Sequence, residues 1–66
     1  MKFKVGDIVR LRRDHSKRYL NDKNGNGVVT QIFIGSRYPI EMKWENSPND
    51  KGSWLESSLR LVRRPQ

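Results

Sequence analysis

Apolar and polar residues alternate one by one along most of this chain, and that period constrains the fold more than any other feature. From Tyr38 to Glu45 the side chains of Tyr38, Ile40, Met42 and Trp44 share one side, and Glu41, Lys43 and Glu45 share the other. Val9 and Leu11 alternate with Arg10 and Arg12 in the same way, and Leu59 and Leu61 with Arg60. Strict alternation marks half-buried strands, whose side chains point to opposite faces in turn. Gly27 to Ile34 is rich in β-branched residues and reads as another strand. Trp54 sits in a further short one, before a tight turn at Ser57-Ser58. Pro39 has no N–H to give a ladder, so it belongs at a strand start or on an edge.

Between these runs lie turn-forming stretches: Gly6-Asp7, Asn21 to Gly27, Gly35-Ser36-Arg37 and Asn46 to Gly52. Asn24-Gly25 or Asn26-Gly27 suits a turn with positive φ, and Gly27 at a strand entrance suits a backbone angle that other residues resist. No helical period exceeds one turn. His15 to Asn21 has room for such a turn, with Ser16 as its cap. Five short strands joined by polar loops predict an all-β chain folded as a small, strongly bent antiparallel barrel with a long first loop.

With 66 residues the chain is expected to be a single domain over 1–66, with a core spanning about 3–62 and a basic tail at 63–66. A domain this small buries only about 60% of the surface its unfolded chain exposes, which leaves little room for an enclosed active site. There is no cysteine, hence no disulfide and no thiolate metal site. The first residues lack the apolar stretch of a secretion signal, and no run reaches the ~20 apolar residues of a membrane span. The expectation is a cytoplasmic protein with no membrane insertion.

Catalytic chemistry finds no support. Asp14, His15 and Ser16 supply the residue types of a hydrolytic triad, but adjacent side chains diverge where a triad must converge. His15 is the only histidine and reads as a surface loop residue, so no metal or cofactor site is expected. Glu41 and Glu45 share strand parity four residues apart, about 13 Å, too far for a tight acid pair. Asn-Gly-Asn-Gly is turn chemistry rather than a phosphate loop, because neither a Gly-Lys-Ser/Thr nor a helix follows it. Trp44 and Trp54 are the largest apolar side chains available and are assigned to structure. An exposed aromatic cage for methyl-lysine or proline-rich peptides is the lesser reading, since a net charge of +7 repels cationic peptides.

The segments FKVGDIVRL, GNGVVTQI, YPIEMKWE and SWLESSLRLV, in that order, resemble the SH3-like barrel. The Val-Gly-Asp-x-Val opening and the Gly27-x-Val29 strand with Ile32 resemble the KOW-type barrels of ribosomal and transcription proteins. The order of segments over residues 3 to 62 also resembles the small E subunit of photosystem I. The resemblance implies a five-stranded barrel in which the first and last strands pair antiparallel. Val9, Leu11, Leu59 and Leu61 would then face inward, and Arg10, Arg12 and Arg60 outward.

That arrangement gives the charge a place. Arg10, Arg12, Arg13, Lys17, Arg18, Arg60, Arg63 and Arg64 are eight of the fourteen basic residues, and the fold would gather them. Like charges opposed across strands are destabilising, so a purely structural protein gains nothing from the pattern. The plain alternative is a solvated face whose Arg and Lys stems cover apolar edges. The stripe reading predicts a non-enzymatic binding module, with arginine and lysine on the phosphates of DNA or RNA and little sequence specificity. Tyr19, in the same loop, could stack on a base or cover the barrel end. The other reading is a docking module for an acidic protein or large complex. The photosystem resemblance implies docking of that kind, and a phage or bacterial modulator of a host factor is a variant of it. A monomer is expected in either case.

Overall fold

The computed structural model describes residues 2–65. Five strands, β1 (Ile8–Leu11), β2 (Gly27–Ile32), β3 (Ile40–Trp44), β4 (Ser47–Trp54) and β5 (Leu59–Arg63), form one sheet in the order β4-β3-β2-β1-β5. Every neighbouring pair is antiparallel. The expected all-β class holds, and the sheet has β4 and β5 as its edges. The alternation sorts the faces as the sequence predicts. Val9, Leu11, Ile40, Met42, Trp44 and Leu59 are buried and meet Phe3 and Val29 in one core. Full burial of side chains of this size contributes about 1.5–3 kcal/mol each, the main force available to a chain without disulfides.

Several elements depart from expectation. The loop after β1 holds a helix, α1 (Tyr19–Asn24), which starts three residues beyond Ser16. Successive tight turns lead into it: the N–H of His15 donates to the carbonyl of Arg12, and that of Arg18 to His15. It stops at Gly25, whose φ of 74° suits glycine and whose N–H donates to Asn21. Leu20 is the helix's contribution to the core margin. The rest of α1 is held by polar side chains, so no apolar period announced it.

The stretch from Asn46 to Gly52, expected as a loop, mostly belongs to β4. Trp44 pairs with Ser47 across a tight turn, and the ladder resumes with Lys43 opposite Lys51. Pro48, Asn49 and Asp50 fall between those pairs without ladder partners, so the loop chemistry survives as a bulge in an edge strand. At the other edge Leu61 lies opposite Val9 but remains 40% exposed, against the inward place expected for it. The ladder shifts register between Ile8 and Val9, and among the described residues no strand pairs with the outer edge of β5. β2 ends at Ile32, leaving Phe33 and Ile34 exposed in the connection to β3.

Gly27 is required for a different reason from the one expected. Its φ is not positive; a Cβ there would collide with Sδ of Met42, a fully buried side chain. Gly27→Ala is expected to cost about 1–3 kcal/mol, as overpacked cores do. Urea unfolding followed by tryptophan fluorescence measures it, and an unchanged midpoint would show that the core yields at this point.

Candidate functional site

The register of β1 against β5 sets Arg10 directly opposite Arg60, with Leu11 opposite Leu59 and Val9 opposite Leu61 on the alternate face. Two guanidinium groups therefore share the outer face of a two-strand ladder with no carboxylate between them in the register. Beside them a groove of about 550 Å³ is lined by Arg10, Leu11, Arg13, Arg18, Asn21, Asp22 and Arg60. Four of the seven lining residues are arginines, and one is acidic.

A buried side chain puts them there. Asn21, 8% exposed, accepts a hydrogen bond from the Leu11 N–H at 3.1 Å and donates from Nδ2 to the Leu11 carbonyl at 2.9 Å. Its amide behaves as a short extra strand at the end of β1 and fastens α1 over it. The loop in between must then double back, which brings Arg13 and Arg18 to the side of Arg10. Arg18 also donates to the Arg13 carbonyl at 3.4 Å. Asn24 anchors the far end of α1, accepting from the Ser47 hydroxyl at 2.9 Å while its own carbonyl receives the Asn46 N–H. The sequence marks Asn24 only as half of a turn with Gly25 and gives neither asparagine an anchoring role, because polar residues in a polar loop carry no periodic signal.

The remaining residues of the expected stripe divide. Arg12 lies beyond the end of β1, 3.9 Å from Asp14, and lines a different depression with Lys2, Arg37 and Glu56. Lys17 and Tyr19 are exposed on the loop and the first turn of α1, outside the groove lining. Arg63 is exposed in β5 opposite Ile8, inside a strand rather than a tail.

Arg64 is a fastener. Its Nε donates to Oδ1 of Asp7 at 3.1 Å and its Nη2 to Oδ2 at 3.0 Å, while Nη2 also reaches the Lys2 carbonyl. Asp7 is 1% exposed and accepts the Lys4 N–H as well. The hydrogen bonds from Arg64 hold the Asp7 carboxyl below the usual range against the opposing effect of burial, with the Lys4 N–H helping. An acid with a depressed folded-state value stabilises the fold above its unfolded value, about 3.9, and that contribution disappears as pH falls through the folded value. Acid unfolding is therefore expected to steepen below about pH 4. Arg64→Gln should flatten that limb; an identical acid profile would show that the pair does not control it.

His15 is not a free surface residue. Its Nδ1 accepts the Lys17 N–H at 3.1 Å, and its ring meets Trp54 edge-on at 5.7 Å. Trp54 in turn meets Trp44 edge-on at 6.2 Å, and Trp44 is in the core. The two tryptophans thus pack as structure. Glu41 accepts from the Thr30 hydroxyl at 3.1 Å, tying β3 to the irregular part of β2. Among the described residues no three His, Asp or Glu side chains gather where a metal ion could be held. No helix among them is long and apolar enough to cross a membrane. No known protein family, characterised protein or solved structure matches the chain.

Proposed function

We propose that this chain is a non-enzymatic nucleic-acid-binding module of SH3-like, KOW-type architecture, contacting phosphates through Arg10, Arg13, Arg18 and Arg60. The observation that carries the reading is the opposition of Arg10 and Arg60 across the β1–β5 ladder, with two more arginines folded over the same groove. Each like-charged pair costs the fold a fraction of a kcal/mol, about 0.2–1, unless an anion lies between its members. A phosphodiester chain supplies such anions at regular spacing, and guanidinium binds them by paired hydrogen bonds. The net charge of +7 adds long-range attraction. Monomeric action in the cytoplasm goes with this reading. The β4 edge is blunted by Pro48, Lys51 and the bulge between them, and the β5 edge carries Arg60 and Arg63, which repel a second copy.

Fluorescence anisotropy of labelled single-stranded and duplex DNA, titrated over a range of salt, tests the proposal. Four phosphate contacts predict log K against log salt slopes of about −3 on single strands and about −4 on duplex. Binding that vanishes above low salt would overturn it and turn the search to an acidic protein on the same arginines.

A further inference from the structure

The groove is not uniformly basic. Asp22 lines it beside the four arginines, yet among the described residues it forms no ion pair with any of them, the two ion pairs being Arg12–Asp14 and Arg64–Asp7. It also makes no side-chain hydrogen bond among the described residues, whereas the neighbouring Asn21 amide bonds both the N–H and the carbonyl of Leu11. A carboxylate left free in a groove meant for phosphate weakens phosphate binding, unless it meets a donor on the same ligand. Three positions earlier on α1, and so on an adjoining part of the helix surface, Tyr19 is 60% exposed. The groove's volume of about 550 Å³ falls in the range that holds one small organic ligand, the size class of a nucleotide.

Resting on the nucleic-acid reading, we infer that the groove takes an unpaired guanine nucleotide. The arginines hold its phosphates, Asp22 accepts from its base edge, and Tyr19 stacks on the neighbouring base. A carboxylate offers two acceptor oxygens side by side and no donor. Guanine alone among the bases presents two N–H donors side by side, N1–H and N2–H. Adenine and cytosine place a ring-nitrogen acceptor next to their amino group, and thymine and uracil flank one N–H with two carbonyls, so each turns an acceptor toward the carboxylate. In a duplex the guanine edge is occupied by cytosine, which is why the ligand must be unpaired. Exposed tyrosines stack on unpaired bases of any kind, which adds affinity without changing the preference.

The test is fluorescence anisotropy with labelled ten-residue thymine strands, either uniform or carrying one central guanine, adenine or cytosine. The duplex of the guanine strand is measured beside them. The guanine strand is expected to bind about fivefold tighter or more than the other three, as a bidentate base contact does, and tighter than its duplex. Asp22→Asn should erase that preference while tightening binding to the uniform thymine strand, because a negative charge leaves the groove; a carboxylate serving only solubility would produce no change in preference. Equal binding of all four strands, a duplex bound as tightly as the single strand, or a preference that survives Asp22→Asn would each overturn the inference and leave the phosphate-binding reading standing. Failure of every strand to bind would overturn both.

Discussion

Arg10→Glu/Arg60→Glu is expected to abolish binding to nucleic acid and leave the fold as stable as the wild type. The reason lies in the register: Arg10 and Arg60 are directly opposed on β1 and β5. Reversing both exchanges one like-charged pair for another, so the cross-strand energy is unchanged. Arg10→Glu alone creates an opposite-charge pair with Arg60 and should raise stability by up to about 1 kcal/mol. Binding follows a different rule. Hydrogen bonds to charged groups contribute about 1.5–3 kcal/mol each, and a carboxylate in place of a guanidinium also repels phosphate, so the double variant should lose about a hundredfold or more. The single variant should therefore be more stable and bind worse, an anticorrelation that no unfolding artefact produces. Arg12→Glu serves as the comparison, since Arg12 lines the other depression beside Lys2 and Arg37 and should weaken binding only through net charge. Anisotropy and urea unfolding on the three variants decide it. Undiminished binding by Arg10→Glu/Arg60→Glu would remove the groove from the function.

The parts of this arrangement visible in the sequence are those carried by a period. Alternation placed Val9, Leu11, Met42, Trp44 and Leu59 inward, and once β1 and β5 were paired it placed Arg10 and Arg60 on the outer face. Alternation fails where a strand runs out of neighbours: Leu61 has the inward parity but lies on an edge strand beside a register shift, and water reaches it. It also fails for residues past a strand's end, which is why Arg12 leaves the stripe that its parity assigned it. The polar fasteners follow no period. Asp7 and Arg64 are 57 positions apart, and nothing local marks which cation a turn aspartate will take. Gly27 looked like turn chemistry because glycine's absent side chain reads the same in sequence whether the backbone or a neighbouring side chain demands it; here Met42 demands it. The groove itself needed both kinds of information, two arginines from the strand period and two from a loop folded by Asn21.

Asn21→Asp is expected to be strongly damaging although it lies outside the apolar core. The substitution keeps an acceptor for the Leu11 N–H but replaces the Nδ2 donor with a second oxygen facing the Leu11 carbonyl. Ionised, the new side chain would be a carboxylate at a site 8% exposed, facing the Leu11 carbonyl oxygen, with Arg10, Arg13 and Arg18 of the same groove as partial compensation. A buried charge without any partner costs about 3–5 kcal/mol, and the groove arginines offset part of that here. A chain of this length has a total stability of only about 3–10 kcal/mol at the usual 0.05–0.15 per residue. A large unfolded fraction is therefore expected at neutral pH. Protonation reverses much of the damage, because the neutral acid again donates to the Leu11 carbonyl. Burial and the facing carbonyl raise the folded-state value of the new acid and the groove arginines lower it; to the extent that the first two prevail, the stability of its neutral form is lost as pH rises through the folded value. The wild type behaves in the opposite sense in acid, because Asp7 loses its partnered charge there. The variant should accordingly be most stable in mildly acidic solution, above the range in which Asp7 is protonated, and least stable near neutrality. Asn21→Ala removes both hydrogen bonds without adding charge; it should cost about 1–3 kcal/mol with no such pH dependence. The fraction that remains folded should bind nucleic acid more weakly, because Arg13 and Arg18 are then no longer held beside Arg10. Urea unfolding of both variants across pH separates the lost hydrogen bonds from the buried charge; equal midpoints for the two at neutral pH would remove the charge effect, and an Asn21→Ala midpoint equal to that of the wild type would show that the Asn21 amide does not fasten α1 to β1.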